Sequence, residues 1–267
     1  MNTADVSSAS SPPAGVSSGV FSESRETVYS PDYFATYADG SSRSAAVVVP
    51  TVLSLLTVKS LVDVGCGVGT WAAQFEANGV PNVCGIDGDY VDRSQLQIRP
   101  DRFLARDLTK SLRLDQRFDL AVCLEVAEHL PESRAESFVA DLTSLAPCLL
   151  FSAAIPGQGG NHHVNEQYLP YWIDLFREHK YEAIDPIRPR ILGNGLVEWF
   201  YQQNLVMFAA SNHPLLTKNL PKPHSFIHPY LYERTRKEVP RLRKLVRSFP
   251  HAIYRAIRFR LDRDVSE

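Results

Sequence analysis

The chain has 267 residues, of which 44% are hydrophobic, and this length favours one well-packed domain with appendages over two full-size domains. No apolar run approaches the roughly 20 residues that cross a bilayer, and the Ser- and Ala-rich start lacks the pattern of a signal peptide, so we expect a soluble, cytoplasmic protein. The net charge of −2 conceals a basic C-terminal segment, because residues 212–267 hold 13 Lys and Arg against 5 Asp and Glu.

Composition divides the chain into four parts. Residues 1–26 have too few large apolar side chains to offset the entropy of ordering, so they are predicted to be disordered. Residues 27–58 are predicted to form two N-terminal helices, with Pro50 kinking or restarting the second. Residues 59–211 carry the predicted domain. Residues 212–267 form a predicted basic helical tail that would pack on its own domain or on a partner subunit in a homodimer; contact with a membrane surface or nucleic acid is the weaker alternative.

From residue 60 onwards, predicted strands and helices alternate. The predicted strands are SLVDVG, NVCGID, RFLARDL, FDLAVCLEV and CLLFSAAI, with YEAIDP and NLVMFAA as two later edge strands. The first five are short apolar runs, as expected where helices cover both faces of a sheet, and the segments between several of them are amphipathic. The pattern predicts a doubly wound α/β sheet closed by a hairpin of the last two strands, which a long loop joins.

A glycine-rich turn follows the first predicted strand. Gly65, Gly67 and Gly69 open a helix, so the backbone can approach a ligand closely and its N–H groups can bind polar oxygens. This pattern alone could also belong to a dinucleotide-binding protein. Asp87 ends the second strand, where a carboxylate can accept both hydroxyls of a ribose, and Asp107 ends the third, where one can accept from an adenine amine. The order predicts a site for an adenosine-containing cofactor.

Four motifs in this order resemble those of the class I S-adenosylmethionine-dependent methyltransferases: VDVGCGVG, GID, ARDL and FDLAVCLEVAEHL. The resemblance covers roughly Ser60 to Ala210. It implies a Rossmann-like seven-stranded sheet with an antiparallel last strand, and S-adenosylmethionine bound across the carboxyl ends of the first strands. The cofactor-binding residues that it implies are Asp63, Gly65, Cys66, Gly67, Gly69, Asp87, Asp107, Leu108 and Glu125.

The segment FSAAIPGQGGNHHVNEQ begins in the fifth predicted strand, and its NHHVNEQ part follows that strand and faces the same crevice as the glycine turn. A sulfonium methyl group is already activated, so the protein must mainly place the acceptor and manage its proton, and a hydroxyl acceptor needs a base most. The segment resembles one in bacterial methyltransferases linked to carbohydrate or secondary-metabolite pathways, whose histidine before Val-Asn-Glu-Gln matches His163. We therefore predict O-methylation of a sugar, a glycosylated metabolite or another small molecule. The candidate catalytic residues are His163, His129 and Glu166.

A divalent metal is a competing interpretation. Glu125, Glu128 and His129 have the spacing E-x-x-E-H, which places them on one side of a helical turn, and His163 could complete the set of ligands. The same spacing occurs in methyltransferases of the ubiquinone-pathway and small-RNA 3′-terminal types, where a divalent ion assists, so Mg²⁺ is a candidate cofactor. Other relatives with Glu-His at this position need no metal.

Three further functions remain open on the sequence. They are methylation of RNA 3′ ends or other nucleic acid, methylation of nitrogen or carbon, and cofactor binding without catalysis. Nucleic acid is the less favoured acceptor, because positive charge concentrates in the tail and not near the predicted site. Trp199 and Phe200, beside Glu198 and Asn194, would suit a sugar, although the aromatic pair could equally pack the edge hairpin.

Overall fold

The computed structural model describes residues 31–238, with side chains from residue 39 to residue 237. The predicted disordered start and most of the predicted basic tail therefore lie outside the described residues. The strands are β1 (Ser60–Val64), β2 (Asn82–Asp87), β3 (Phe103–Ala105), β4 (Leu120–Leu124), β5 (Cys148–Ser152), β6 (Tyr181–Ile184) and β7 (Val206–Ala210). The α-helices are α1 (Pro31–Leu55), α2 (Thr70–Ala77), α3 (Ala135–Leu145), α4 (Leu169–Glu178), α5 (Arg188–Ile191), α6 (Trp199–Asn204) and α7 (Pro229–Glu238).

The strands form one seven-stranded sheet in the order β3-β2-β1-β4-β5-β7-β6. Strands β1 to β5 run parallel, whereas β7 is antiparallel to both β5 and β6. Parallel strands bring their carboxyl ends to one edge, where ligands bind in open α/β sheets. The predicted fold class and the closing hairpin are confirmed.

Two apolar clusters cover the two faces of the sheet, because side chains alternate between faces along each strand. On β1, Leu61 packs into the cluster with α1 and α2, and the next residue, Val62, packs into the cluster with α3 and α4. On β7, Met207 and Phe208 divide in the same way. The chain is therefore doubly wound, with a core on each side that holds the strand ends in place.

The N-terminal region forms one continuous helix, α1, so the prediction of two helices was wrong. Pro50 lies inside this helix, where its missing N–H and its ring cost about 3 kcal/mol. The helix continues because Val48, Val49 and Val52 are fully buried on both sides of the proline. Burial of this apolar face offsets the cost.

The segment between β6 and β7 was predicted as a long loop but contains α5 and α6. The second of these short helices, α6, carries aromatic residues to the cavity at the carboxyl edge of the sheet. The four cysteines of the chain are free thiols. Within residues 31–238, none of the helices combines the length and apolarity that a membrane span requires.

Candidate functional site

A cavity of about 710 Å³ opens at the carboxyl ends of the strands. One part of its wall comes from the loops after β1, β2 and β3, and another from the loop after β5 together with α6 and α7. Of the residues predicted to act, those that line the cavity are Gly65, Cys66, Gly67, Asp87, Asp107, Leu108, Glu125, His129 and His163.

The glycine turn forms the floor of the cavity. Gly65, Gly67 and Gly69 all have positive φ, between 53° and 85°, a conformation that residues with a Cβ adopt at a cost. A Cβ on Gly65 would also lie 2.3 Å from Val126 Cγ2. The turn therefore needs glycine for its backbone shape and, at residue 65, for space. Such a cradle fits a nucleoside cofactor that lies close to the backbone.

The Asp87 carboxylate joins the end of β2 to the glycine turn. Oδ2 accepts from the Gly67 N–H at 2.7 Å, and Oδ1 accepts from the Gly88 N–H and from the Tyr90 hydroxyl. Burial raises the pKa of Asp87, and these hydrogen bonds offset part of the rise. Tyr90 also lines the cavity, and it was not predicted because it lies outside the sequence motifs.

The two other acids at strand ends differ in exposure. Asp107 is exposed and accepts from the N–H and hydroxyl of Thr109 at 3.0 and 2.6 Å, which fixes its carboxylate beside the buried Leu108. Asp63 is buried and is not among the residues that line the cavity. Burial raises the pKa of Asp63 to about 7, against a hydrogen bond from the Ala72 N–H that lowers it. Asp63 therefore bonds to the first turn of α2.

Glu125 lies at the end of β4 with φ of 54°, a strained value for a residue with a side chain. Its carboxylate accepts from Gln158 Nε2 at 2.8 Å and from Asn204 Nδ2 at 3.2 Å. Gln158 Oε1 in turn accepts from Asn204 and from Gln203. This buried network of amides ties the loop after β5 to α6, and it could not be read from the sequence because its members are far apart in the chain.

The loop after β5 holds a histidine and a carboxylate together. Nδ1 of His163 lies 2.9 Å from Oε1 of Glu166. Glu166 also accepts from the Gly157 N–H at 2.8 Å and the Gly159 N–H at 2.9 Å, so its orientation is fixed. A carboxylate only accepts hydrogen bonds, which makes Nδ1 the donor and leaves Nε2 as the nitrogen that can accept a proton. This is the arrangement of an oriented base.

Three of the four predicted metal ligands lie together. One ligand atom from each of Glu128, His129 and His163 falls within 4.8 Å of the others, whereas Glu125 is not in this group and bonds to the amides described above. Burial raises the pKa of Glu128 well above its usual range, and the Glu125 carboxylate beside it raises it further. Burial, and then the nearby His163, lower the pKa of His129 to about 4. Without an ion, burial therefore favours the neutral form of both side chains.

Oε2 of Glu128 is buried without a hydrogen-bond partner, so the site has a place for a ligand of that oxygen. Two imidazoles and one carboxylate suit a transition metal better than Mg²⁺, which prefers oxygen ligands. The donor set therefore fits Mn²⁺ or Zn²⁺ but fits the predicted Mg²⁺ poorly.

Comparisons with known proteins agree with this architecture. Residues 38–147 match a family model described as a methyltransferase domain. No match was found among curated proteins. A magnesium protoporphyrin IX methyltransferase from Synechocystis PCC 6803, solved with bound SAH (S-adenosylhomocysteine), has 18% identity and a TM-score of 0.50, covering 64% of this chain and 84% of that one. An O-methyltransferase family protein from Burkholderia thailandensis has 13% identity and a TM-score of 0.51, covering 70% of this chain and 63% of that one.

At these identities the two solved structures establish likeness of fold. The fold and the glycine cradle define an α/β protein whose cavity, at the carboxyl edge of its sheet, fits a nucleoside cofactor. Over residues 38–147, about two fifths of its length, the chain is similar to a methyltransferase domain, and its fold is similar to that of the methyltransferase solved with bound SAH.

Proposed function

We propose that this enzyme transfers the methyl group of S-adenosylmethionine to a hydroxyl group of a small molecule, with sugars and glycosylated metabolites as the first candidates. The observation that carries the proposal is the 2.9 Å hydrogen bond between His163 Nδ1 and Glu166 Oε1 at the cavity wall. A hydroxyl acceptor has a high pKa, so its attack requires a base that takes the proton. His163 Nε2 is the group that would take it.

The cofactor would supply an electrophilic methyl group when bound. The residues that would hold it are the glycine turn, Asp87 and Asp107, because they line the cavity at successive strand ends. The remaining task of the protein is to place the acceptor hydroxyl and accept its proton. Glu166 would stabilise the imidazolium that forms, as well as orient the ring.

Aromatic side chains on the opposite part of the wall support a sugar or another molecule with an apolar face. Trp199 and Phe200 line the cavity. Their predicted polar companions are engaged elsewhere, since Asn194 Oδ1 accepts from the Leu196 N–H and Glu198 pairs with Arg43. The polar contacts to an acceptor would therefore come from the loop after β5.

The proposal is tested with purified enzyme, SAM and a panel of monosaccharides, glycosides and phenols, with SAH formation as the readout. Once an acceptor is found, we expect H163A to lower kcat by about 10²- to 10⁴-fold, the contribution of a general base. Calorimetric titration should show an affinity for SAH within about twofold of the wild type, since His163 lies outside the glycine cradle.

His162→Asn provides the matched control for this test. His162 is adjacent, has φ of 56° and does not line the cavity, and asparagine tolerates that backbone conformation. The control should keep near wild-type activity. If H163A retained a third or more of the wild-type kcat, the acceptor atom would need no base there, and nitrogen or carbon methylation would replace the proposal.

A metal-assisted reaction is the second candidate, favoured by the unpartnered Oε2 of Glu128. Because Nδ1 of His163 bonds to Glu166, only Nε2 could bind an ion, so His163 cannot be a metal ligand and a base at once. Titration of the chelator-treated protein with Mn²⁺, Zn²⁺ and Mg²⁺ separates the two. Tight Mn²⁺ or Zn²⁺ binding, lost in Glu128→Gln, would support a metal; full activity after chelation would remove it.

Among the cavity-lining residues of the described chain, Arg106 and Arg234 are the two with Lys or Arg side chains. A nucleic-acid backbone would need more positive charge along its path, so a small acceptor is favoured. Methylation of an RNA oligonucleotide with steep dependence on salt would contradict this choice. The homodimer through the tail stays a prediction, which the mass in solution would test.

A further inference from the structure

The first part of the basic tail packs against the domain and reaches the cavity. The backbone N–H of His228 donates to Gln203 Oε1 at 2.8 Å, and Arg188 Nη2 donates to the His224 carbonyl at 3.0 Å. Leu231, in the first turn of α7, is buried. These contacts fix the start of α7 beside α6, so the helix presents its next turn to the site.

Arg234 is the residue of α7 that lines the cavity. Its Nη2 donates to the carbonyl of Gln158, with a longer contact of 3.5 Å to the carbonyl of Gly157. Its guanidinium carbon lies 5.6 Å from the ring centre of Trp199, in the range of a cation–π interaction. One side chain therefore connects the loop after β5 to the aromatic residue of α6.

The loop that Arg234 holds has little conformational preference of its own. Gly157 and Gly159 have φ of 82° and 67°, and glycine populates this region and others with similar ease. Their N–H groups donate to Glu166, which orients His163. The N–H of Gly157 thus donates to Glu166, and the carbonyl oxygen of Gly157 faces the guanidinium of Arg234.

We propose that Arg234 is a positioning residue, which acts on the reaction by holding the 157–159 loop in the shape that orients Glu166 and His163. The inference rests on the proposed role of His163. If Arg234 has this role, α7 belongs to the acceptor site, although the sequence predicted a tail outside the domain. Arginine suits the role because its planar fork can bond to carbonyls while its face stacks on an indole, which a lysine cannot do.

The test measures amide hydrogen exchange of the full chain in the wild type, R234A, R234K and R236A. Arg236 is the matched control, since it is two residues away on α7, exposed, and paired with Glu233. In R234A we expect the amides of Gly157 and Gly159 to exchange at least ~10-fold faster, the scale of one lost hydrogen bond to a charged group. The amides of the glycine turn and the affinity for SAH should stay unchanged, and R236A should match the wild type.

R234K keeps a hydrogen-bond donor but loses the stacking on Trp199, so the amides of Gly157 and Gly159 should exchange at an intermediate rate. This variant replaces R234A in the test if R234A does not fold. A second readout is the ¹⁵N spectrum of His163, where R234A should lose the single Nδ1–H tautomer. Unchanged exchange and tautomer in R234A would overturn the inference. If exchange rises in R234A while H163A leaves methyl transfer intact, Arg234 holds the loop but the proposed base is wrong, so the two failures are distinguishable.

Discussion

The two halves of the cavity are built in different ways. The cofactor half comes from one stretch of chain in which each segment follows a neighbouring strand, whereas the acceptor half assembles three separated segments. The cofactor half is lined by residues 65–68, 87, 88, 90, 107 and 108, and the acceptor half by residues 157–161, 163, 199–201 and 234.

The bonds that hold the halves differ as well. In the cofactor half, backbone groups bond directly to the next strand, as when the Gly65 N–H donates to the Ile86 carbonyl at 2.7 Å. In the acceptor half, side chains hold a glycine-rich loop: Glu166 accepts from its N–H groups, and Arg234 donates to its carbonyl groups. Backbone turns leave a motif in the sequence, but a loop held by distant side chains does not. We therefore expect the cofactor half to be disrupted most by substitution of its glycines, and the acceptor half by substitution of the side chains that hold its loop.

The largest effect is expected for Gly65→Ala. A left-handed backbone costs about 1–2 kcal/mol with a Cβ, and the overlap with Val126 adds about 1–3 kcal/mol of overpacking. If this strain is relieved by distorting the turn, affinity for SAH should fall by at least ~30-fold, measured by calorimetric titration.

Gly79→Ala is the control for this change. Gly79 has φ of 92°, but a Cβ there would have nothing within 4 Å, so it carries the backbone cost without the overlap. We expect a modest loss of stability in this variant and unchanged affinity for SAH. Equal affinities in both variants and the wild type would mean that the turn does not cradle the cofactor.

A smaller effect, on the order of 1–3 kcal/mol, is expected in the pH dependence of stability. Burial raises the pKa of Asp63 from 3.8 to about 7, so the folded protein binds a proton that the unfolded chain releases. The stability from this group is fully present below about pH 4 and is lost as the pH rises through about 7. Asp63→Asn stays neutral throughout, so its stability relative to the wild type should increase from pH 5 to pH 8.

Denaturant unfolding of both proteins at several pH values, without cofactor, checks this prediction. Oδ2 of Asp63 lacks a hydrogen-bond partner, so the asparagine amide would also be unpartnered there. This lowers the stability of the variant by an amount that does not vary with pH. The change in the difference with pH is therefore the informative quantity. A difference that stays constant from pH 5 to pH 8 would show that Asp63 is already ionised in the folded protein.

The contrast between the halves also explains which parts of the fold and of the site could be predicted from the sequence. The succession of strands along the chain, the closing hairpin and the positions of Gly65, Asp87 and Asp107 at strand ends were predicted, because local patterns encode each of them. His163 and Glu166 were placed at the site by their position after β5, but their contact was not. The roles of Gln158 and Arg234 could not be predicted, because they arise from contacts across 33 and 76 residues of chain. Tyr90 contacts the nearby Asp87 but belongs to none of the motifs. The continuous α1 was missed because burial outweighs the local effect of Pro50.

The smallest expected effect comes from Tyr90→Phe. This variant changes a side chain in the cofactor half, where backbone hydrogen bonds provide most of the support. The variant removes one of three hydrogen bonds to Asp87 and leaves those from the Gly67 and Gly88 N–H groups. One such bond contributes about 0.5–1.5 kcal/mol, so affinity for SAH should fall only about 2- to 10-fold. Asp87→Asn places an NH2 donor where one carboxylate oxygen accepts, and it removes the charge that strengthens the remaining bonds, so it should lose more. If Tyr90→Phe instead weakened binding as strongly as Asp87→Asn, the hydroxyl and not the backbone would hold the carboxylate, and the cofactor half would depend on side chains just as the acceptor half does.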